Sequence, residues 1–498
     1  MIDLGLDLVF WCILYVVLLV AVGTMARAAR RDESLRDSVL AGGSLGFGVL
    51  VFTFVATQYS GNSVSGIPPQ VYLEGLSYVM GVTFSVGVVA GFVLFVPKLR
   101  RLAQKNQYVT PADFLSDRFG SPALRVVSSV IFILTLVNFL LAQLTALGYA
   151  FQEFTQGQIP YWAAVVVGAV VVVAYVVVGG MRAVAWTDVV QGLVLGLGLL
   201  CLLAMLWIEV GSPLAVARSV QRLRPELVAN PTLTVCFVWL SNFLLLALGA
   251  PLYPQVVQRV FAARSTKVLR NSLAIMAGVP LFIVTIVTFV GAAGIVLFPS
   301  LNAEQANQIT FRILTHLVES NAMAHYPSLL VMLAVVAAIM STADACLLSL
   351  SSILVHDVVD QSGKAPGWFA AHPAKAVGVV SAVAMLLVTL LALQPWMTLW
   401  GLLIIKFEIL IQLSPAFVLG TLHHRDDPAG VDAEDILTGM LFGLLTTFAF
   451  YVSPLEHLGG VHFGVIGVLV NYAVVLLRRG HRVRNAMVSI TGSWKTAP

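Results

Sequence analysis

Charge is what this sequence has least of. Asp, Glu, Lys and Arg together make up 10% of its 498 residues, where soluble domains carry about a quarter. At 59% hydrophobic residues, a water-soluble chain would have nowhere to put its apolar surface. Cysteine is scarce as well. Cys12, Cys201, Cys236 and Cys346 fall inside apolar runs at unrelated spacings, which argues against both a disulfide framework and a metal site. The chain has no nucleophile–base pair, no Gly-rich phosphate loop and no metal-spaced His cluster; His423 and His424 are adjacent on a short loop and form a poor chelating pair. No catalysis and no cofactor are expected, and the net charge of +4 is too small and too scattered to suggest a nucleic-acid partner.

Long uncharged runs are abundant. Val189 to Ile208, Ile436 to Leu455 and His457 to Leu477 each have about the 20 residues that a helix needs to cross the hydrocarbon core of a membrane. The pattern predicts an all-α integral membrane protein with thirteen spans, approximately 8–27, 47–70 (interrupted), 77–97, 126–152, 160–178, 189–210, 234–254, 273–298, 326–355, 376–394, 399–422, 436–453 and 461–477. The first run lacks a small-residue cleavage site and continues into an arginine cluster, so it reads as a retained helix and not a signal peptide. The longest polar connections, 299–325 and 356–375, are too short for a soluble domain, so residues 1–498 form one transmembrane unit.

Orientation follows from Lys and Arg. Loops on the carboxyl-terminal side of thirteen spans hold 23 of the 28 basic residues, including Arg264, Lys267 and Arg270; the opposite loops hold Arg218, Arg222, Arg224 and Arg312, and Lys406 lies inside a span. The positive-inside rule then puts the amino terminus outside and the carboxyl terminus in the cytoplasm, in a plasma or bacterial inner membrane. Arg478, Arg479, Arg482 and Arg484, at the end of the last span, suit anionic lipid headgroups.

A helix in lipid satisfies its own backbone, so Gly and Pro at mid-span mark places where the backbone lines protein or water. The second span runs into SGNSVSGIPPQ, Ser60 to Gln70, and the seventh into GAPLYPQ, Gly249 to Gln255. The two interruptions are five spans apart. Interrupted segments at matching positions of two halves point to an inverted-repeat transporter whose site lies at the breaks. The repeats would be about 45–212 and about 232–422, flanked by spans at about 8–27, 436–453 and 461–477.

The ninth span contains a hydroxyl cluster. Ser341 and Thr342 follow Ala338 by three and four residues, so both hydroxyls share a helical face with its carbonyl. Neutral oxygens of this kind suit a hard monovalent cation, although such hydroxyls also bond back to their own helix. Asp344, one turn on, is costly in a span and needs a partner or a wet cavity. Lys406 and Glu408 are two residues apart in the eleventh span and therefore lie on different faces.

The stretch AAIMSTADACLLSLSSIL from Ala337 to Leu354, followed by Asp357, resembles the sodium/solute symporter family, which includes bacterial proline, pantothenate, sialic acid and monocarboxylate permeases and the animal sodium/glucose cotransporters. GGMRAVAWTDVVQG from Gly179, PQVVQRVFAARS from Pro254 and FVATQYSGNSVSGIP from Phe54 agree with it in order. The resemblance implies a LeuT-type 5+5 inverted repeat with broken first helices. It also implies one sodium ion held by the carbonyls of Ala56, Tyr59 and Ala338 and the hydroxyls of Ser341 and Thr342. A second sodium occurs in some members, and here Asp188 and Asp344 with Ser341 would hold it; Asp188 reads equally as a helix cap and gate charge.

For the solute, the resemblance directs attention to Thr57, Gln58, Asn62 and Ser63 on the first break, Asn138 and Gln143 on the fourth span, Trp239 and Asn242 on the seventh, and Gln412 on the eleventh. Proline-type members carry an aspartate where this chain has Gln58, and sugar-type members an asparagine. SGNSVSGIPPQVYLEG looks more like the monocarboxylate and pantothenate relatives, with no acid in the break to repel an anion. The expected partners are thus Na⁺, a small organic solute of the carboxylate class and membrane lipids, and the expected activity is sodium-coupled symport by alternating access. Two alternatives stand beside it: a membrane solute sensor on the same fold, and proton-coupled symport through Asp188 or Asp344.

Overall fold

The computed structural model describes residues 4–28, 34–75, 83–362, 367–394, 399–422, 430–453 and 459–493. His423, His424, Arg30 and Arg31 lie outside them, as do the side chains of Asn62, Arg482 and Arg484. The uncharged runs become helices because only a helix satisfies its whole backbone within one segment in lipid. In chain order the crossing helices are α1 (Leu4–Ala28), α2 (Phe47–Gln58), α3 (Gly61–Glu74), α4 (Phe84–Asn106), α5 (Pro122–Phe154), α6 (Tyr161–Val210), α7 (Leu233–Gly249) and α8 (Pro254–Ala262). They continue with α9 (Thr266–Met276), α10 (Val279–Leu297), α11 (His325–Ile353), α12 (Pro373–Ala392), α13 (Leu399–Leu410), α14 (Ser414–Leu422), α15 (Ala433–Tyr451) and α16 (Phe463–Ser493).

Ten helices are long and apolar enough to cross singly or as joined pairs. The 50 residues of α6, at 1.5 Å per residue, are twice what one crossing needs. They divide at Gly180, whose φ of 57° and ψ of −149° break the helix. A Cβ there would lie 2.5 Å from the carbonyl oxygen of Ser38, so glycine is required both by conformation and by close approach. Two arms in α6, the broken α2–α3 pair and α4 bring the described crossings to the expected thirteen.

The first break is sharper than the sequence suggests and lies earlier. The chain leaves the helix only at Tyr59 (φ −103°, ψ 94°) and Ser60 (φ −92°, ψ 174°). Pro68 and Pro69, read as part of the interruption, lie inside continuous α3. Pro68 and Pro69 have no N–H to give to the carbonyls of Val64 and Ser65, a loss that a membrane helix tolerates where other helices surround it; α10 packs against this turn so closely that a Cβ on Gly291 would be 2.5 Å from the Pro68 carbonyl oxygen. The second break is a short 3₁₀ turn, Ala250–Leu252, followed by extended Tyr253 (φ −51°, ψ 126°), with Pro254 opening α8, where its missing N–H costs nothing.

Helix α11 runs through the middle of the bundle and is buried on nearly every side. By contrast α1 is exposed over most of its face, with Phe10, Ile13, Val17 and Met25 open to the surroundings, as lipid contact requires. The break at Tyr59–Ser60 presses on α11: a Cβ at Gly61 would meet Ile339 at 2.4 Å.

Candidate functional site

Four oxygens meet where α2 ends against α11. Ser341 Oγ donates to the carbonyl oxygens of Ala56 at 3.0 Å and of Ala338 at 3.1 Å. Thr342 Oγ1 lies 3.4 Å from Ala56 O and 3.2 Å from Ala338 O. Both hydroxyls thus bond back to their own helix, as such residues commonly do, and also reach across to a different one. All four residues are buried. The Ala56 carbonyl is available because α2 stops two residues later, so the carbonyls of its last turn have no helical partner beyond it. Tyr59 is the residue at which the chain turns.

A second, charged cluster is buried among α2, α6, α8 and α11. Asp188 of α6 accepts a short hydrogen bond from Thr53 Oγ1 and an ion pair from Arg259 Nη2 at 3.0 Å. Arg259 of α8 also donates to Thr53 Oγ1 at 2.7 Å and to the Gln255 carbonyl at 2.9 Å. Both charged side chains are fully buried. Asp344 takes a hydrogen bond from the Tyr175 hydroxyl at 2.8 Å. The second oxygens of Asp188 and Asp344 have no hydrogen-bond partner among the described residues. Asp188 sits two turns into the second arm of α6, inside the helix, so the helix-cap reading does not hold: the arm starts at Gly180, earlier than the sequence suggests.

The solute candidates separate. Gln143 of α5 takes the Gly61 N–H at 3.3 Å, at the first break. Thr57 Oγ1 bonds back to Thr53 O, while Gln58 Nε2 and Asn138 Oδ1 are buried without partners among the described residues. Ser63 lies in the first turn of α3, half-buried. The other three are engaged elsewhere. Trp239 Nε1 donates to Thr83 Oγ1 at 2.9 Å, and Asn242 Oδ1 is 3.0 Å from His462 Nε2. Gln412 donates to the Gly464 carbonyl at 3.0 Å and its own carbonyl accepts from Asn471.

Lys406 and Glu408 face opposite ways, as their spacing implies. Glu408 accepts a short hydrogen bond from Tyr451 and lies 3.7 Å from His462 Nδ1; Lys406 points toward the breaks. Sequence reasoning missed Arg259 as the partner of Asp188, although a charge inside a span is itself a signal. It also missed a polar cluster at the basic end of the bundle, where Asp113 meets Arg125 at 2.8 Å and His356 at 3.0 Å, and Asp357 meets Thr110 at 2.9 Å. Burial works against the Asp113 charge, but His356 and the N–H groups of Thr110 and Val109 outweigh it and bring the carboxyl down to about 2. Arg125 also lies 3.4 Å from Asp357, so the cluster ties the segments that carry these residues together.

Residues 39–424 match the sodium:solute symporter family, and the chain belongs to that family. It is a multi-pass membrane transporter, not an enzyme, and its activity is sodium-coupled symport. The chain is 26% identical over 484 residues to the sodium/proline symporter of Escherichia coli, covering 93% of this chain and 92% of that one. It is 25% identical over 464 residues to the sodium/pantothenate symporter of the same organism, covering 89% and 91%. Other matches span as little as 62% of the relative. Among solved structures, a substrate-bound, outward-open Na⁺-coupled sialic acid symporter aligns over 96% of this chain and 98% of its own with a TM-score of 0.77 at 20% identity. The fold is accordingly of the LeuT type, with the two breaks heading its repeats.

Proposed function

We propose that this chain moves a small carboxylate inward with Na⁺ bound at Ala56, Tyr59, Ala338, Ser341 and Thr342. The observation that carries the reading is the convergence of the Ser341 and Thr342 hydroxyls on the carbonyl of Ala56 from another helix. An ion there joins α2 to α11, stabilises the arrangement that binds solute, and so raises solute affinity. The amides and hydroxyls of Gln58, Asn138, Gln143, Thr57 and Ser63 serve polar groups of the solute at the first break, with Asn62, whose side chain lies outside the described residues, kept as a further candidate from the sequence. A second cation, where one binds, is held by Asp344, which has no ion pair among the described residues, with Asp188 and Ser341. The repeats are about 45–212 and about 232–422, within one transmembrane unit, the amino terminus outside and the carboxyl terminus cytoplasmic.

One Na⁺ moving down about 100 mV gains roughly 2.3 kcal/mol, and a tenfold gradient adds about 1.4 kcal/mol. For a neutral solute the sum sustains roughly 500-fold accumulation. For a monoanion the electrical part cancels, leaving the sodium gradient alone. Uptake by proteoliposomes across a panel of carboxylates, with and without a sodium gradient, tests the reading; sodium-independent uptake would sink it. Labelling of exposed Arg264 and Arg222 replaced by cysteine tests orientation, the first expected inside and the second outside.

A further inference from the structure

Lys406 is fully buried, and its ammonium makes no hydrogen bond to any described residue. It rests 3.1 Å from the centroid of the Phe139 ring, with the rings of Tyr253 and Phe407 at 5.4 and 5.5 Å. These rings belong to the breaks. Tyr253 is the extended residue of the second break, and Phe139 lies one turn before Gln143, which receives the Gly61 N–H at the first. Phe139 and Phe407 each stand 5.2 Å from Tyr253, so the three form a continuous apolar wall around one cation.

Ring faces attract an ammonium, but by less than the loss of its water costs. An ammonium kept charged here calls for a carboxylate, and the acids buried in the bundle core have other partners. Asp188 is paired with Arg259, Asp344 is bound by Tyr175, and Glu408 faces Tyr451 on the other side of its helix. We propose that Lys406 holds the carboxylate of the solute, whose apolar body lies against Phe139, Tyr253 and Phe407. This rests on the reading of the breaks as the site of a carboxylate solute, and it adds the group that reading left unnamed: the charge of an organic monoanion is recognised by a lysine outside the sodium cluster. It also implies that symport with one Na⁺ carries no net charge.

The test uses the purified full-length protein. Thermal stabilisation by acetate, propionate, butyrate, pyruvate and benzoate is compared with that by the corresponding amides, in Na⁺, for wild type, Lys406→Gln and Lys406→Met. The expected result is stabilisation by one or more of the acids and not by their amides. In either variant the acid affinity falls about tenfold or more, while stabilisation by Na⁺ alone is unchanged. Wild type that responds to no acid, that responds equally to amides, or whose acid affinity survives in both variants overturns the proposal. Absence of the Na⁺ effect from wild type would instead count against the sodium site, leaving the acid–amide comparison to judge Lys406.

Discussion

Two buried clusters draw on α2, through Ala56 and Thr53, and they deal with cations in opposite ways. At Ala56, Ala338, Ser341 and Thr342 every oxygen is neutral, and among the described residues the two hydroxyls bond only to carbonyls. Around Asp188 the protein supplies the cation itself, Arg259, at 3.0 Å. The difference teaches where an ion from outside is needed. Four neutral oxygens gain most from a cation that arrives, binds and leaves, whereas an acid already paired with arginine has little to gain from one.

The largest effect should come from breaking the resident pair. Arg259→Ala leaves the Asp188 carboxylate buried with only the Thr53 hydroxyl beside it, which should cost about 3–5 kcal/mol, read as a fall in melting temperature or in yield of folded protein. Replacing both members, Arg259→Met with Asp188→Leu, should recover most of that stability, because no uncompensated charge remains. A mild Arg259→Ala would mean that Asp188 is neutral or solvated, and the contrast between the clusters would fail.

Next in size is the neutral cluster. Ser341→Ala or Thr342→Ala removes one ligand from a bound cation, a loss of about 1.5–3 kcal/mol, or roughly ten- to a hundredfold in the sodium concentration needed for uptake. Folding should be nearly unaffected, since each hydroxyl is also a local bond to Ala338. Unchanged sodium dependence in both variants would move the ion elsewhere.

Much of this was legible in sequence. The thirteen crossings followed from uncharged runs, and the hydroxyl cluster from an i, i+3, i+4 pattern on one helix. The opposite faces of Lys406 and Glu408 followed from the same helical geometry. The exact break did not, because Pro68 and Pro69 mark lost hydrogen bonds while the tolerance for that loss depends on helices such as α10 that pack on α3 from far away in sequence. The partners of Asp188, Asp344 and Lys406 are equally remote in sequence, and no periodicity connects Arg259, Tyr175 or Phe139 to them.

Asp344 falls between the two clusters, since it has a hydrogen-bond donor, Tyr175, and no cationic partner. Asp344→Asn should lower sodium affinity by less than about tenfold, under 1.4 kcal/mol. If a second ion binds beside Asp188, the variant should also reduce the steepness of uptake against sodium to that of a single site. An unchanged steep curve would remove the second ion from this place.

The smallest effect is expected at the aqueous end, where the same chemical pair meets a different dielectric. Arg125 and Asp113 are as close, 2.8 Å, as Arg259 and Asp188, but their side chains are 16% and 11% exposed where the other pair shows none. Water that reaches one side of an ion pair repays most of the cost of leaving its partner unpaired. Asp113 also retains His356 and two backbone N–H groups when the arginine is gone. Arg125→Ala should therefore cost about 1 kcal/mol or less in melting experiments. A loss as large as that of Arg259→Ala would show that helix-to-helix geometry, and not exposure to water, sets the worth of both pairs.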